Sequence, residues 1–146
     1  MQTTDINAVS HLNSFLRGEL SAVETYRQAL SKLEEFTERG ILHECSRSHE
    51  ERAALLTKEI RRRGGEPATG SGPWGAFAKL VEGGAAVLGR KAAIFALEQG
   101  EDHGRDDYRR DLKELDPQAR NFIQSELLPL QHRTHDALSA LRQSLS

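Results

Sequence analysis

The chain repeats itself. Gly18-Glu19 is followed, after six residues, by Tyr26-Arg27 and then by Leu30 and Leu33; Gly100-Glu101 is followed, after six residues, by Tyr108-Arg109 and then by Leu112 and Leu115. In each copy the acid and the phenol stand seven residues apart, close to two helical turns, so both leave the same helix face in the same direction. Both copies lie on apolar stripes. A carboxylate on such a stripe points inward, where it needs a neutralising partner. The repeat therefore constrains the fold to two related halves, each with a long amphipathic helix carrying one buried acid.

The rest of the pattern supplies the other helices. Behind the N-cap candidates Thr3, Thr4 and Asp5, the series Ile6, Val9, Leu12, Leu16, Leu20, Val23, Tyr26, Leu30 and Leu33 predicts a first helix over about 5–39, ended by Gly40. Glu19 falls on this stripe and Glu24 off it. Ile41, Leu42, Cys45, His49, Ala53, Leu56 and Ile60 predict a second helix over about 41–63, closed by Arg61 to Arg63 and by Gly64-Gly65-Glu66-Pro67. Five glycines and two prolines between 64 and 75 make residues 64–84 a crossover with a short helix starting at Trp74. Val87, Ile94, Leu97, Glu101, Tyr108, Leu112 and Leu115 predict a third helix over about 85–115. Asp116-Pro117 is an N-cap followed by proline at N1, and starts a fourth over about 117–144, with a kink expected at Pro129 that frees a carbonyl near Ser125. Four helices with one long connection in the middle describe an all-α, up-down four-helix bundle filling a single domain, 1–146.

The totals exclude several classes. A net charge of -2 with both signs interspersed offers no field to draw nucleic acid or an anionic membrane surface. No run is apolar enough to span a bilayer and no secretory leader is recognisable, which points to a cytoplasmic setting. Cys45 is the only cysteine, so no internal disulfide can form, and on its apolar stripe it reads as a buried, inert thiol.

The four stripes carry Glu19, His49, Glu101 and His135 near mid-height. Carboxylate and neutral imidazole are ordinary ligands for iron, manganese or zinc, so one divalent metal in the bundle centre is one reading, with Glu50, Glu98 and His132 as substitute ligands and Tyr26 and Tyr108 beside the site. Two Glu-His ion pairs with no metal, or acids hydrogen-bonded to Tyr26 and Tyr108, are the other.

Leu12-Asn13, Leu16, Glu19-Leu20, Ala22, Tyr26 and Ala29 resemble the first helix of a bacterioferritin, in the ferritin-like superfamily that also holds the rubrerythrins. In its full length, through the His49 region, Gly64-Gly65-Glu66-Pro67 and the Gly100-Glu101 to Tyr108 echo, the chain resembles a bacterial ferritin-like family of unknown function linked with stress responses. The resemblance implies that Glu19 is a terminal iron ligand. Di-iron members also carry Glu-x-x-His on helices two and four. Here Ser46 stands three before His49, and His132 three before His135, so both bridging carboxylates are missing at those positions and at most one metal is expected. The expected function is a stress-associated binding or structural module lacking a complete di-iron site; the alternative is a metal-dependent oxidoreductase acting on oxygen or peroxide. A homodimer or other homo-oligomer is expected, with Trp74, Phe77 and Leu80 covering the partner.

Overall fold

Steps of three and four along the apolar stripes are realised as helices throughout. The computed structural model describes residues 3–33, 37–70, 72–75, 78 and 89–145. They form α1 (Thr3–Lys32), α2 (Arg39–Arg62), α3 (Arg90–Leu112), α4 (Pro117–Phe122), a π-helical turn (Ile123–Leu127) and α5 (Leu128–Ser144). The backbone stays right-handed helical at Ile123 and Leu128, so α4, the π turn and α5 make one continuous rod. Among the described residues there are four rods and no strand. They pack in a ring, α1 on α2, α2 on α5, α5 on α3 and α3 on α1.

Two ends differ from the sequence reading. α1 stops at Lys32 rather than near residue 39, and Gly40 lies inside the first turn of α2. The Arg39 guanidinium donates to the carbonyls of Leu30 and Leu33, meeting acceptors that the last turn of α1 leaves unpaired. α2 ends close to expectation. Gly64 has φ +80°, its N–H reaches the Arg61 carbonyl, and Gly65 N–H reaches the Ile60 carbonyl, the paired bonds of a Schellman ending. A Cβ on Gly65 would stand 2.6 Å from Val9, which keeps that position small.

Long-range contacts fix the directions. Arg63 near the end of α2 pairs with Asp5 at 3.5 Å, so α2 runs antiparallel to α1. Tyr26 meets Glu101 and Tyr108 meets Glu19, so α3 is also antiparallel to α1. Arg142 meets Glu98 while Arg120 reaches the Leu115 carbonyl, so the last rod is antiparallel to α3. The connection after α2 is tied along α1: Asn13 donates to Glu66 O and accepts from Ala68 N–H, and Trp74 N–H donates to Thr25 Oγ1. Residues 71, 76, 77 and 79–84 of the expected crossover, which include Phe77 and Leu80 of the expected oligomer surface, and residues 85–88 at the expected start of the third helix lie outside the described residues.

Asp116 caps α4 as its sequence requires, accepting from Ala119 N–H at 2.8 Å. The helical backbone continues through Pro129. Its ring would meet the Ser125 carbonyl in a regular helix, and the π turn just before it widens the backbone by one residue. Ala119, Ile123, Leu127 and Gln131 are all buried at steps of four. Each such step drifts by about 40° in a regular α-helix, so the extra residue is what holds them on one face.

The interior has two apolar layers. Leu12, Phe15, Leu16, Leu56, Ile123 and Leu127 belong to one, and Leu30, Leu42, Ile94, Leu97, Leu138 and Leu141 to the other. A buried polar layer contains Glu19, His49, Arg52, Glu101, Gln131 and Thr134.

A candidate functional site in the polar layer

His49 links the two acids of the repeat. Its Nδ1 lies 2.6 Å from Glu19 Oε2 and its Nε2 lies 2.7 Å from Glu101 Oε2. Ionised carboxylates only accept, so both ring nitrogens must donate, and His49 is an imidazolium. Burial lowers its pKa, yet the nearby carboxylates outweigh that and the net shift is upward. The acids respond in turn. Burial pushes Glu101 up, but the charge and hydrogen bond of His49, with Arg52 and Tyr26, bring it down to about 2. Glu19 is likewise raised by burial and lowered further by Arg52 and His49.

The second cation is Arg52, whose side chain has no exposure at all. Its Nη1 stands 3.5 Å from Glu19 Oε1, and its Nη2 donates to Thr134 Oγ1 at 3.0 Å. Thr134 Oγ1 in turn donates to Glu101 Oε1 at 2.7 Å. Tyr26 donates to Glu101 Oε2 at 2.6 Å and Tyr108 to Glu19 Oε1 at 2.8 Å. Burial and the adjoining carboxylates raise both phenols well above their ordinary value, so they remain donors. Two carboxylates face two cations. The set is charge-neutral.

Of the four residues expected to converge, Glu19, His49 and Glu101 do so. His135 does not. It stands 2.5 Å from Asp102 Oδ1 and 3.0 Å from Arg105 Nη1, half-buried outside the polar layer. Thr134 takes the inward place because Leu127, Thr134 and Leu141 keep one seven-residue spacing. The substitute ligands also stand elsewhere: Glu50 and His132 are exposed, and Glu98 pairs with Arg142 at 2.5 Å. Among the described residues, no group of three or more His, Cys, Asp or Glu side chains is arranged to hold a metal ion. Cys45 is buried, and burial with the Glu101 charge pushes its thiol up to about 12, which leaves it un-nucleophilic.

Residues 7–114 match the family described as Domain of unknown function (DUF2383). The chain belongs to this family. No curated protein and no solved structure matches it. The DUF2383 match covers Glu19, Tyr26, His49, Arg52, Glu101 and Tyr108, and ends before Gln131 and Thr134.

Sequence reasoning missed Arg52, Gln131 and Thr134. A signal for them was present. The repeat offset of 82 residues that relates Glu19 to Glu101 and Tyr26 to Tyr108 also relates His49 to Gln131 and Arg52 to Thr134. Every member of the polar layer named here has its counterpart in the other half.

A cleft of about 360 Å³ opens onto this layer between α1 and α3. Trp74 stands at its edge, packed so closely on α3 that a Cβ at Gly100 would come within 2.0 Å of the indole. The same ring meets Tyr26 and His49 edge-on, each at 5.9 Å. Trp74 therefore covers the polar layer of its own chain.

Proposed function

We propose that this chain is a ferritin-like four-helix bundle whose central charges are balanced by protein cations, and that it acts as a binding module without a metal centre. Helix directions of up, down, down and up, with one long connection between the second and third helices, support the ferritin-like reading. In di-iron bundles each half supplies one Glu and one Glu-x-x-His pair. At the places related by the repeat, this chain has His49-x-x-Arg52 and Gln131-x-x-Thr134. The frame is kept and its chemistry exchanged.

The observation that carries this reading is Arg52, fully buried against Glu19 and His49. A divalent ion would have to strip His49 of a proton it donates to a carboxylate. It would also face the guanidinium at close range, a repulsion of roughly 8 kcal/mol at about 4 Å and an effective dielectric of about 20. The association with stress responses rests on the family resemblance alone.

Elemental analysis of protein purified without chelator tests the reading. Metal far below one equivalent is expected. Near-stoichiometric iron, manganese or zinc that disappears in Glu19→Ala and His49→Ala would overturn it, and would make the oxidoreductase alternative, with oxygen or peroxide as oxidant, the one to assay.

A further inference from the structure

Two buried polar atoms of the central layer have no hydrogen-bond partner: Arg52 Nη1, a donor, and Gln131 Oε1, an acceptor. Both side chains are at least nine-tenths buried and both residues line the cleft between α1 and α3. The Gln131 orientation is set by its Nε2, which donates to the Glu101 carbonyl and leaves Oε1 without a proton to accept. Arg52 Nη1 has the Glu19 carboxylate at 3.5 Å as an ion-pair partner but makes no hydrogen bond, and Gln131 Oε1 has no donor; buried donors and acceptors in folded proteins are nearly always met, so these two atoms beneath an opening mark a place for a ligand.

The walls point the same way. Gly18 and Gly104 sit in the interiors of α1 and α3, where glycine weakens a helix, and both line the cleft. No atom lies within 4 Å of a Cβ built on either, in contrast to Gly65 and Gly100, whose positions are crowded. Packing does not require these two glycines, and a larger side chain at either would project into open space at the cleft. Phe15 and Trp74 supply flat apolar wall.

We propose that the cleft binds a small neutral molecule with a carboxamide head, its carbonyl accepting from Arg52 Nη1, its N–H donating to Gln131 Oε1, and its flat apolar body lying beside Trp74. A carboxylate head is disfavoured, since it would meet the Gln131 acceptor and the charges of Glu19 and Glu101. The proposal rests on the metal-free reading of the centre.

Benzamide is the probe and benzoate its charged counterpart. Trp74 is the only tryptophan, so its indole N–H gives one resonance in a nitrogen-15 correlation spectrum that reports on the cleft. Titration is done on the full chain after metal content has been measured on the same sample. Expected are a saturable shift with benzamide, at least tenfold weaker binding of benzoate, and at least tenfold loss of benzamide binding in Gly104→Leu and Gln131→Leu. Gly104→Leu leaves the polar layer untouched and should melt no lower than the wild type. Absence of a saturable shift in metal-free protein, equal binding of benzoate, or undiminished binding by Gly104→Leu would each overturn the ligand proposal alone. A stoichiometric metal in the sample would overturn the reading beneath it.

Discussion

The phenol of Tyr26 on α1 donates to the carboxylate of Glu101 on α3 at 2.6 Å, so the tyrosine of one repeat serves the acid of the other. The reciprocal bond, Tyr108 to Glu19, closes the exchange. Tyr26→Phe and Tyr108→Phe should each lose about 1.5–3 kcal/mol of stability, as expected for a hydrogen bond to a charged group. Urea denaturation should give losses within about 1 kcal/mol of each other, within the spread of such bonds. A clearly larger difference would mean that the halves are alike in geometry but not in energetics.

Arg52→Met should cost about 3–5 kcal/mol, because it leaves buried carboxylates with one cation between them. Lysine restores the charge but not the fork that reaches both Glu19 and Thr134, so Arg52→Lys should recover only part of the loss. Chemical denaturation of the three proteins checks this, and a neutral Arg52→Met would show that the guanidinium does not balance the acids.

Stability should fall at both ends of the pH scale. Glu101 is depressed from 4.5 to about 2, so its contribution is whole above pH 4.5 and is lost as the pH falls through about 2, a change of about 3 kcal/mol. His49 is raised above 6.5, so its contribution is whole below that pH and is lost as the pH rises through the folded value. Melting temperatures of the wild type against pH should show both limbs, and His49→Gln should lack the alkaline one.

Glycines of the same two helices should respond in opposite senses. Gly18→Ala and Gly104→Ala should each stabilise the fold by about 0.5–1 kcal/mol, as expected where the added Cβ has room. Gly100→Ala should destabilise it, since the methyl would need the Trp74 ring to move. Thermal melts of the three variants separate helix propensity from packing.

Thr134→Val and His135→Ala test which residue belongs to the interior. The first leaves Glu101 Oε1 and Arg52 Nη2 unmet and should cost about 1–3 kcal/mol. The second removes partly exposed contacts with Asp102, Arg105 and Asp136 and should stay within about 1 kcal/mol. The reverse order in a denaturation series would place His135 in the layer.

The parts legible in the sequence were those written as spacing. Glu19, Glu101 and both tyrosines follow from the repeat, His49 from its stripe, and the start of α4 from Asp116-Pro117. Arg52 was overlooked because arginine is read by default as a surface residue, although it stands seven residues from Cys45 and four from Leu56. Choosing between His132 and His135 on chemistry passes over Thr134, which phase favours: Thr134 is four residues from Leu138 and seven from Leu141. The end of α1 had no local signal. Its carbonyls are met by a side chain from the next helix, a tertiary effect that propensity does not contain.

The crossed tyrosine bonds span 75 and 89 residues of sequence. During synthesis, α1 and α2 are complete before either partner from α3 exists. At that stage His49 and Arg52 have only Glu19 of the two central acids, so His49 would have to give up its proton or stay in contact with water. The first half is therefore expected not to fold on its own, despite holding two long amphipathic helices. A chain halted in the connection after α2 should collapse loosely and admit water to its centre, and the transition to a dry interior awaits the arrival of Glu101.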